Sequence, residues 1–277
     1  EVDLVASGCY VTVGVTAEDA ALKDLCDTMN RCRDMVITYQ FGEQTIKLEG
    51  ETICTWILGS TQDGLVDVNY DMAAAFVKSM ADQFDTAGKT RAFHTTTGKD
   101  LNLTGPYGWQ IDQAGETASL IAMIRTGQSQ LREPLYSKKA QDRTTDWGKT
   151  YVEIDLTNQH VYMYQDGNLA WDAPCVTGNV SKNYTTPEGI YSLTYKQTDR
   201  VLRGEKKADG TYEYESHVDY WMPFNGGIGL HDANWRSKFG GTIYQTSGSH
   251  GCINLPPAKA KELYGLVYKG MPVLCYE

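Results

Sequence analysis

The sequence is short of positive charge and has no long apolar run. Its 277 residues carry 25 Lys and Arg against 35 Asp and Glu, a formal net charge of −10. That balance argues against a nucleic-acid partner, whose phosphates need a basic face to displace counterions. No window approaches the ~20 consecutive apolar residues of a membrane-spanning helix, and no basic-then-apolar signal peptide opens the chain. The chain begins at Glu1 rather than Met, which suggests a processed product whose signal or membrane anchor belonged to a full-length precursor. No Cys-x-x-Cys pair exists, and His250 and Cys252 are separated by one residue only, so a metal site is disfavoured. With no phosphate-binding loop either, no cofactor is implied.

What is present is enough apolar material, 41% of residues, to bury a substantial core in one to two domains, and the pattern favours two. Residues 16–32 place Leu22, Leu25, Met29 and Cys32 at helical spacing. The runs 36–40 and 45–48 flank Phe41-Gly42-Glu43-Gln44 and predict a hairpin with a longer loop. Residues 71–84 predict a second amphipathic helix with Met72, Phe76, Met80 and Phe84 on one face. Residues 91–95 and 100–103 bracket a Thr97-Gly98 turn, and 114–126 ends in Gly127 as a helix does. This first part, 1–128, reads as an α+β domain.

Residues 129–148 are polar, contain Pro134 and show no sustained period, the mark of a linker. From 149 to 277 the pattern changes to strands. The run 151–156 alternates, 159–165 alternates again, Asp166-Gly167 is a strong hairpin signal, and 169–177 returns as a third strand. A charged stretch, 196–217, lies between strand-like segments, residues 256–268 predict a short helix, and 272–276 a closing strand. Of the seven cysteines, Cys9, Cys26, Cys32, Cys54, Cys175, Cys252 and Cys275, most read as small buried hydrophobes. Cys26 and Cys32 fall on nearly opposite helix faces, whereas Cys175 and Cys275 lie in strand-like runs that can be neighbours.

The chemistry is concentrated near the C-terminus. His231, followed after a spacer by Ser249-His250-Gly251-Cys252-Ile253-Asn254, puts a thiol in a short polar turn with a base upstream. A thiol attacks as thiolate, and a neighbouring imidazole can take its proton and return it to a leaving amine. Cys252 is thus the candidate nucleophile and His231 the candidate base. Gly251 permits a sharp turn, and the N–H groups of His250, Gly251 and Cys252 are candidates for an oxyanion hole. Ser249, His250 and Asn254 either orient the substrate or fix the turn. Tyr220, Trp221, Met222 and Trp235 are candidate walls of the cleft.

The ordered pattern of histidine, spacer, Ser-His-Gly-Cys, an apolar residue and Asn resembles the signature of the YkuD-type L,D-transpeptidases. The approach segments Tyr220-Trp221-Met222-Pro223-Phe224 and Gly229-Leu230-His231-Asp232, with Phe239-Gly240-Gly241, resemble the same family. One departure is Asp232, where many members carry Gly or Ser, and it leaves the orientation of His231 open. Tyr107-Gly108-Trp109-Gln110-Ile111-Asp112, with the helices around it, resembles the peptidoglycan-binding domain that often precedes such catalytic domains. The resemblance implies a mostly-β, sandwich-like catalytic domain over 149–277, with 196–217 as a lid. It implies a bacterial cell-wall enzyme on the outer face, acting on donor and acceptor peptidoglycan stem peptides. It also implies a 3→3 cross-link through a cysteine thioester, release of D-alanine from a tetrapeptide, and acylation by carbapenem-type β-lactams. An L,D-carboxypeptidase, or a wall-binding protein with an inactive catalytic domain, stays open beside it.

Overall fold

The computed structural model describes residues 20–277 and, before them, Asp3, Ser7, Gly8, Thr16 and Asp19. Cys9 and the expected start of the first helix at residues 17 and 18 lie outside the described residues. The chain forms two compact units, residues 1–84 with 111–137, and 85–110 with 138–277. The boundary expected near 128 assigns residues 85–110 to the first domain, whereas they pack within the second unit.

In the first unit the helix Ala20–Asp34 starts where the Asp19 carboxylate accepts from the N–H groups of Ala21 and Leu22, satisfying donors that the helix itself leaves unpaired. The strands Val36–Phe41 and Gln44–Glu49 pair antiparallel as expected, but through a tight Gly42-Glu43 turn rather than a longer loop. Gly42 has φ 65°, a conformation open to glycine at little cost, and this closes the hairpin early. The helix Tyr70–Phe84 buries Ala73, Val77, Met80 and Ala81, while Met72, expected on the buried face, is exposed. The helix Gln113–Thr126 ends at left-handed Gly127, as the sequence predicts.

The expected linker 129–148 is not structureless. Its segment Gln130–Arg132 is a strand parallel to Val36–Phe41. The reason lies in Glu116, fully buried on the helix Gln113–Thr126. Its carboxylate accepts from Tyr39 Oη at 2.6 Å, from Arg132 at 2.9 Å and from the Leu135 N–H at 2.7 Å. A buried carboxylate demands such partners, and two of them come from this polar run.

The second unit is a mostly-β sandwich. One sheet has five strands in the order Asn168–Pro174, His160–Gln165, Tyr151–Asp155, Pro272–Tyr276, Gly189–Ser192. The other has four, Gln197–Arg203, Glu215–Asn225, Ile228–Asp232 and Ile253–Leu255. Val152, Val161, Trp171 and Val273 from the first sheet share a core with Met222, Leu230 and Ile253 from the second. The helix Pro257–Leu266 adds Ala260 and Leu263 to that core. Residues 85–110 join a neighbouring cluster in which Phe93, Leu103 and Tyr107 pack with Trp147, Ile190 and Tyr276. Tyr107 and Trp109 are both buried; the Tyr107 hydroxyl accepts from the Gln141 N–H, and the Trp109 indole donates to the Asp142 carbonyl. Cys175 and Cys275 are buried free thiols, and Cys175 adds to the upward push that burial gives the Cys275 thiol. No described helix is long and apolar enough to cross a membrane.

Candidate active site

The site is built on a parallel strand pair. Ile228–Asp232 runs beside Ile253–Leu255 with Leu230 opposite Ile253 and His231 opposite Asn254. Side chains alternate along a strand, so His231, Asn254 and Cys252 share one face while Leu230 and Ile253 turn into the core. Cys252 enters from a turn with Gly251 at φ 111°, left-handed territory that favours glycine, and there the Ile228 side chain lies 3.2 Å from where a β-carbon would stand. The turn is closed by Ser249, whose hydroxyl donates to the Cys252 carbonyl at 2.6 Å and accepts from the Gly251 N–H at 3.0 Å. Buried Thr186 ties it to the neighbouring loop, donating to the Gly251 carbonyl at 2.7 Å and accepting from the Gly178 N–H at 3.1 Å. Because Ser249 occupies the Gly251 N–H, that donor drops out of the expected oxyanion trio. The N–H groups of His250 and Cys252 have no partner among the described residues and remain available.

His231 is 3% exposed, its ring 5.9 Å from those of Trp221 and Trp235. Its Nδ1 lies 2.8 Å from the Asp232 carbonyl oxygen, which can only accept, so Nδ1 carries the proton and Nε2 is left as the base. This bond uses the backbone of residue 232, and any residue there supplies it. The Asp232 side chain is engaged elsewhere, accepting from the Tyr220 N–H at 2.7 Å, which settles the orientation that the sequence left open.

Cys252 is partly exposed as a residue, but its sulfur is crowded by neighbours. Burial pushes the thiol up to about 11, against a smaller downward pull from the Gly229 N–H aimed at the sulfur. Burial likewise lowers His231, with the Asp232 carbonyl and carboxylate opposing it and the Arg236 charge reinforcing it. At neutral pH the resting pair is therefore a neutral thiol beside a neutral imidazole.

Two clefts meet at Cys252. One, of about 190 Å³, is lined by His231, Trp235, Arg236, Ser249 and Asn254 as well as Cys252. The other, of about 280 Å³, is lined by Tyr195, Arg200, Arg203, Tyr214 and Trp221 with Cys252. The hairpin of Gln197–Arg203 and Glu215–Asn225 contributes to both. His250 lines the first cleft with Cys252 and His231, and its ring lies between those of Tyr184 and Tyr214, at 4.4 and 4.6 Å, with its Nε2 3.4 Å from Glu213. Two nominated wall residues are corrected. Met222 is fully buried in the core, and Tyr220 packs on Tyr264, 5.3 Å between rings, so neither lines a cleft. Arg236 and Tyr214 were not expected: a lone arginine beside Trp235 and a tyrosine in a charged stretch carry no pattern of their own. Among the described residues, no three His, Cys, Asp or Glu side chains are grouped to hold a metal ion.

A thiol and an imidazole at the junction of two clefts on a mostly-β domain define an arrangement able to carry cysteine-dependent acyl transfer. Residues 149–275 match the family described as "L,D-transpeptidase catalytic domain", and 24–132 match that described as "Putative peptidoglycan binding domain". The chain is similar to the solved structure of the Ldtfm–avibactam carbamoyl enzyme, at 34% identity over 92% of this chain and 99% of that one, with a TM-score of 0.73. It is also similar to a cysteine-to-serine variant of the Enterococcus faecium L,D-transpeptidase, at 33% identity over 91% of this chain and 100% of that one, with a TM-score of 0.72. A search of curated proteins gave no match. The chain belongs to the L,D-transpeptidase family. It is an acyltransferase whose substrate partner is peptidoglycan, and it is associated with the cell wall.

Proposed function

We propose that this enzyme forms 3→3 cross-links between peptidoglycan stems outside the cell membrane, through a thioester on Cys252. The observation that carries this reading is that Cys252 lines two clefts, only one of which contains His231. His231 Nε2 takes the thiol proton as sulfur attacks the carbonyl of the third stem residue, forming the S–C bond. The tetrahedral oxyanion is met by the free N–H groups of His250 and Cys252, donors of a kind worth ~2.7–4 kcal/mol each in acyl transfer. As the C–N bond breaks, His231 returns the proton to the departing D-alanine nitrogen.

The acceptor amine must attack where the leaving amine departed, because the two half-reactions are chemically the reverse of each other. Both amines therefore use the cleft that holds His231, and the acyl part of the donor stem occupies the cleft of Tyr195 and Trp221. A cleft reserved for a second stem favours an amine acceptor over water, and hence the transpeptidase over the carboxypeptidase. Carbapenem-type β-lactams would acylate Cys252 along the donor path.

The test is incubation of the protein and its Cys252→Ala variant with a purified disaccharide-tetrapeptide, read by mass spectrometry. A dimer lacking one D-alanine, absent with the variant, is the expected product. Tripeptide alone would identify a carboxypeptidase, and unchanged substrate would leave the wall-binding reading.

A further inference from the structure

We propose that Arg236 reads the free α-carboxylate of the amino acid expelled from Cys252, so that the donor must end at the residue being released. This rests on the cross-linking chemistry above and adds the feature of the stem that the site selects.

The argument starts from an incomplete cation. Arg236 follows the strand that carries His231, its backbone N–H bonded to the Ala233 carbonyl at 3.1 Å, which turns the chain back toward the cleft. Arg236 lines the same cleft as His231, Asn254 and Cys252. Its Nε is buried with no hydrogen-bond partner among the described residues. Burial lowers its pKa and no neighbouring carboxylate offsets that, although the chain carries ten more acidic than basic residues. A guanidinium stays charged in proteins, so a half-buried one without a counter-ion is a planar fork awaiting an anion. Asn254, 2% exposed, also lines this cleft, and its buried carboxamide oxygen has no partner among the described residues. The cleft is therefore lined by one cation and one carboxamide that the described residues leave incompletely paired.

The geometry of the leaving group matches. His231 must reach the amine being expelled, which fixes that nitrogen in this cleft. The carboxylate of the same amino acid lies within one residue of the attacked carbonyl, about 3.8 Å of chain. An anion at that distance from the thioester carbon, on the His231 side, falls within the cleft that Arg236 lines. Bidentate guanidinium–carboxylate pairing is specific to an end that is ionised. A stem extended by one more residue presents a neutral amide there and leaves the arginine unpaired.

The test compares kcat/KM for release from two donors, a tetrapeptide ending in free D-alanine and the same peptide ending in D-alaninamide. The wild-type protein is expected to favour the acid about 10- to 100-fold, the range set by a charge-assisted bond. In Arg236→Gln that ratio is expected to fall to near one, a change that loss of folding or a loosened cleft would not produce. A wild-type ratio near one, or a ratio unchanged in Arg236→Gln, overturns the assignment of Arg236 and leaves the cross-linking reading intact. Release from neither donor by the wild-type protein overturns the cross-linking reading and this inference with it.

Discussion

His231 stands opposite Asn254 across a parallel strand pair, and Cys252 lies two residues before Asn254 on the same face. The base is held by this backbone ladder, and the thiol by the turn that leads straight into it, closed by Ser249. His231→Ala keeps the thiol and its turn but removes the proton acceptor. Acylation of Cys252 by a carbapenem is expected to slow by roughly 10²–10⁴-fold, the usual contribution of a positioned base. Cys252→Ala should give no adduct at all. Mass spectrometry of the intact protein over time checks both.

The neutral resting pair has a pH signature. Thiol reactivity in the wild-type protein requires neutral His231, whose pKa burial holds below 6.5. Reaction at Cys252 should therefore rise with pH on the acid side of 6.5 and be level through neutrality, with no need for free thiolate. In His231→Ala the thiol must ionise unaided, and the rise should move toward its own value of about 11. Peptide-resolved alkylation with a neutral reagent separates Cys252 from the exposed Cys26 and Cys54. An unshifted profile in the variant would show that His231 is not the proton acceptor.

Ser249 closes the nucleophile turn with two hydrogen bonds, so Ser249→Ala should cost about 1–3 kcal/mol of stability. It also frees the Gly251 N–H and loosens the position of sulfur, and acylation should slow while thiol content stays the same. Gly251→Ala should be the harsher change, since it adds a β-carbon at φ 111° against Ile228. Thermal unfolding alongside carbapenem acylation distinguishes lost stability from lost positioning.

How much of this was legible in the sequence follows from which forces are local. The nucleophile turn and its base are close in the chain and use residue types that few other roles require, so Cys252 and His231 could be named at once. Strand alternation is also local, but it does not say which parity faces the core; Tyr220, Trp221, Met222 and Trp235 were therefore all named as walls, and of these only Trp221 and Trp235 line the clefts. Residues 85–110 read as a hairpin with no mark of the core that takes them, which only the packing of Phe93 and Leu103 decides. The segment after 128 looked like a linker because Arg132 and Leu135 serve a carboxylate, Glu116, that nothing local shows to be buried. The face of the helix Tyr70–Phe84 shifted for the opposite reason: small Ala73 and Ala81 allow close approach, and the larger Met72 is left outside.

The hairpin over the clefts is latched to the nucleophile turn through His250. Tyr214 and Glu213 come from the hairpin side, Tyr184 from the other, and Tyr214 also lines both clefts. An aromatic contact of this kind contributes about 0.5–1.5 kcal/mol beyond its buried area, enough to hold the hairpin against the turn several-fold more of the time. Where such a hairpin acts as a lid, its closure would decide between an amine and water as the nucleophile that meets the thioester. Tyr214→Ala should then raise the ratio of tripeptide to cross-linked dimer several-fold, with the first acylation step changed less. Product ratios at fixed donor concentration measure this directly, and His250→Ala should move the ratio the same way if the latch is the cause. An unchanged ratio in both variants would assign water exclusion to the cleft walls instead, with the hairpin serving only to support them.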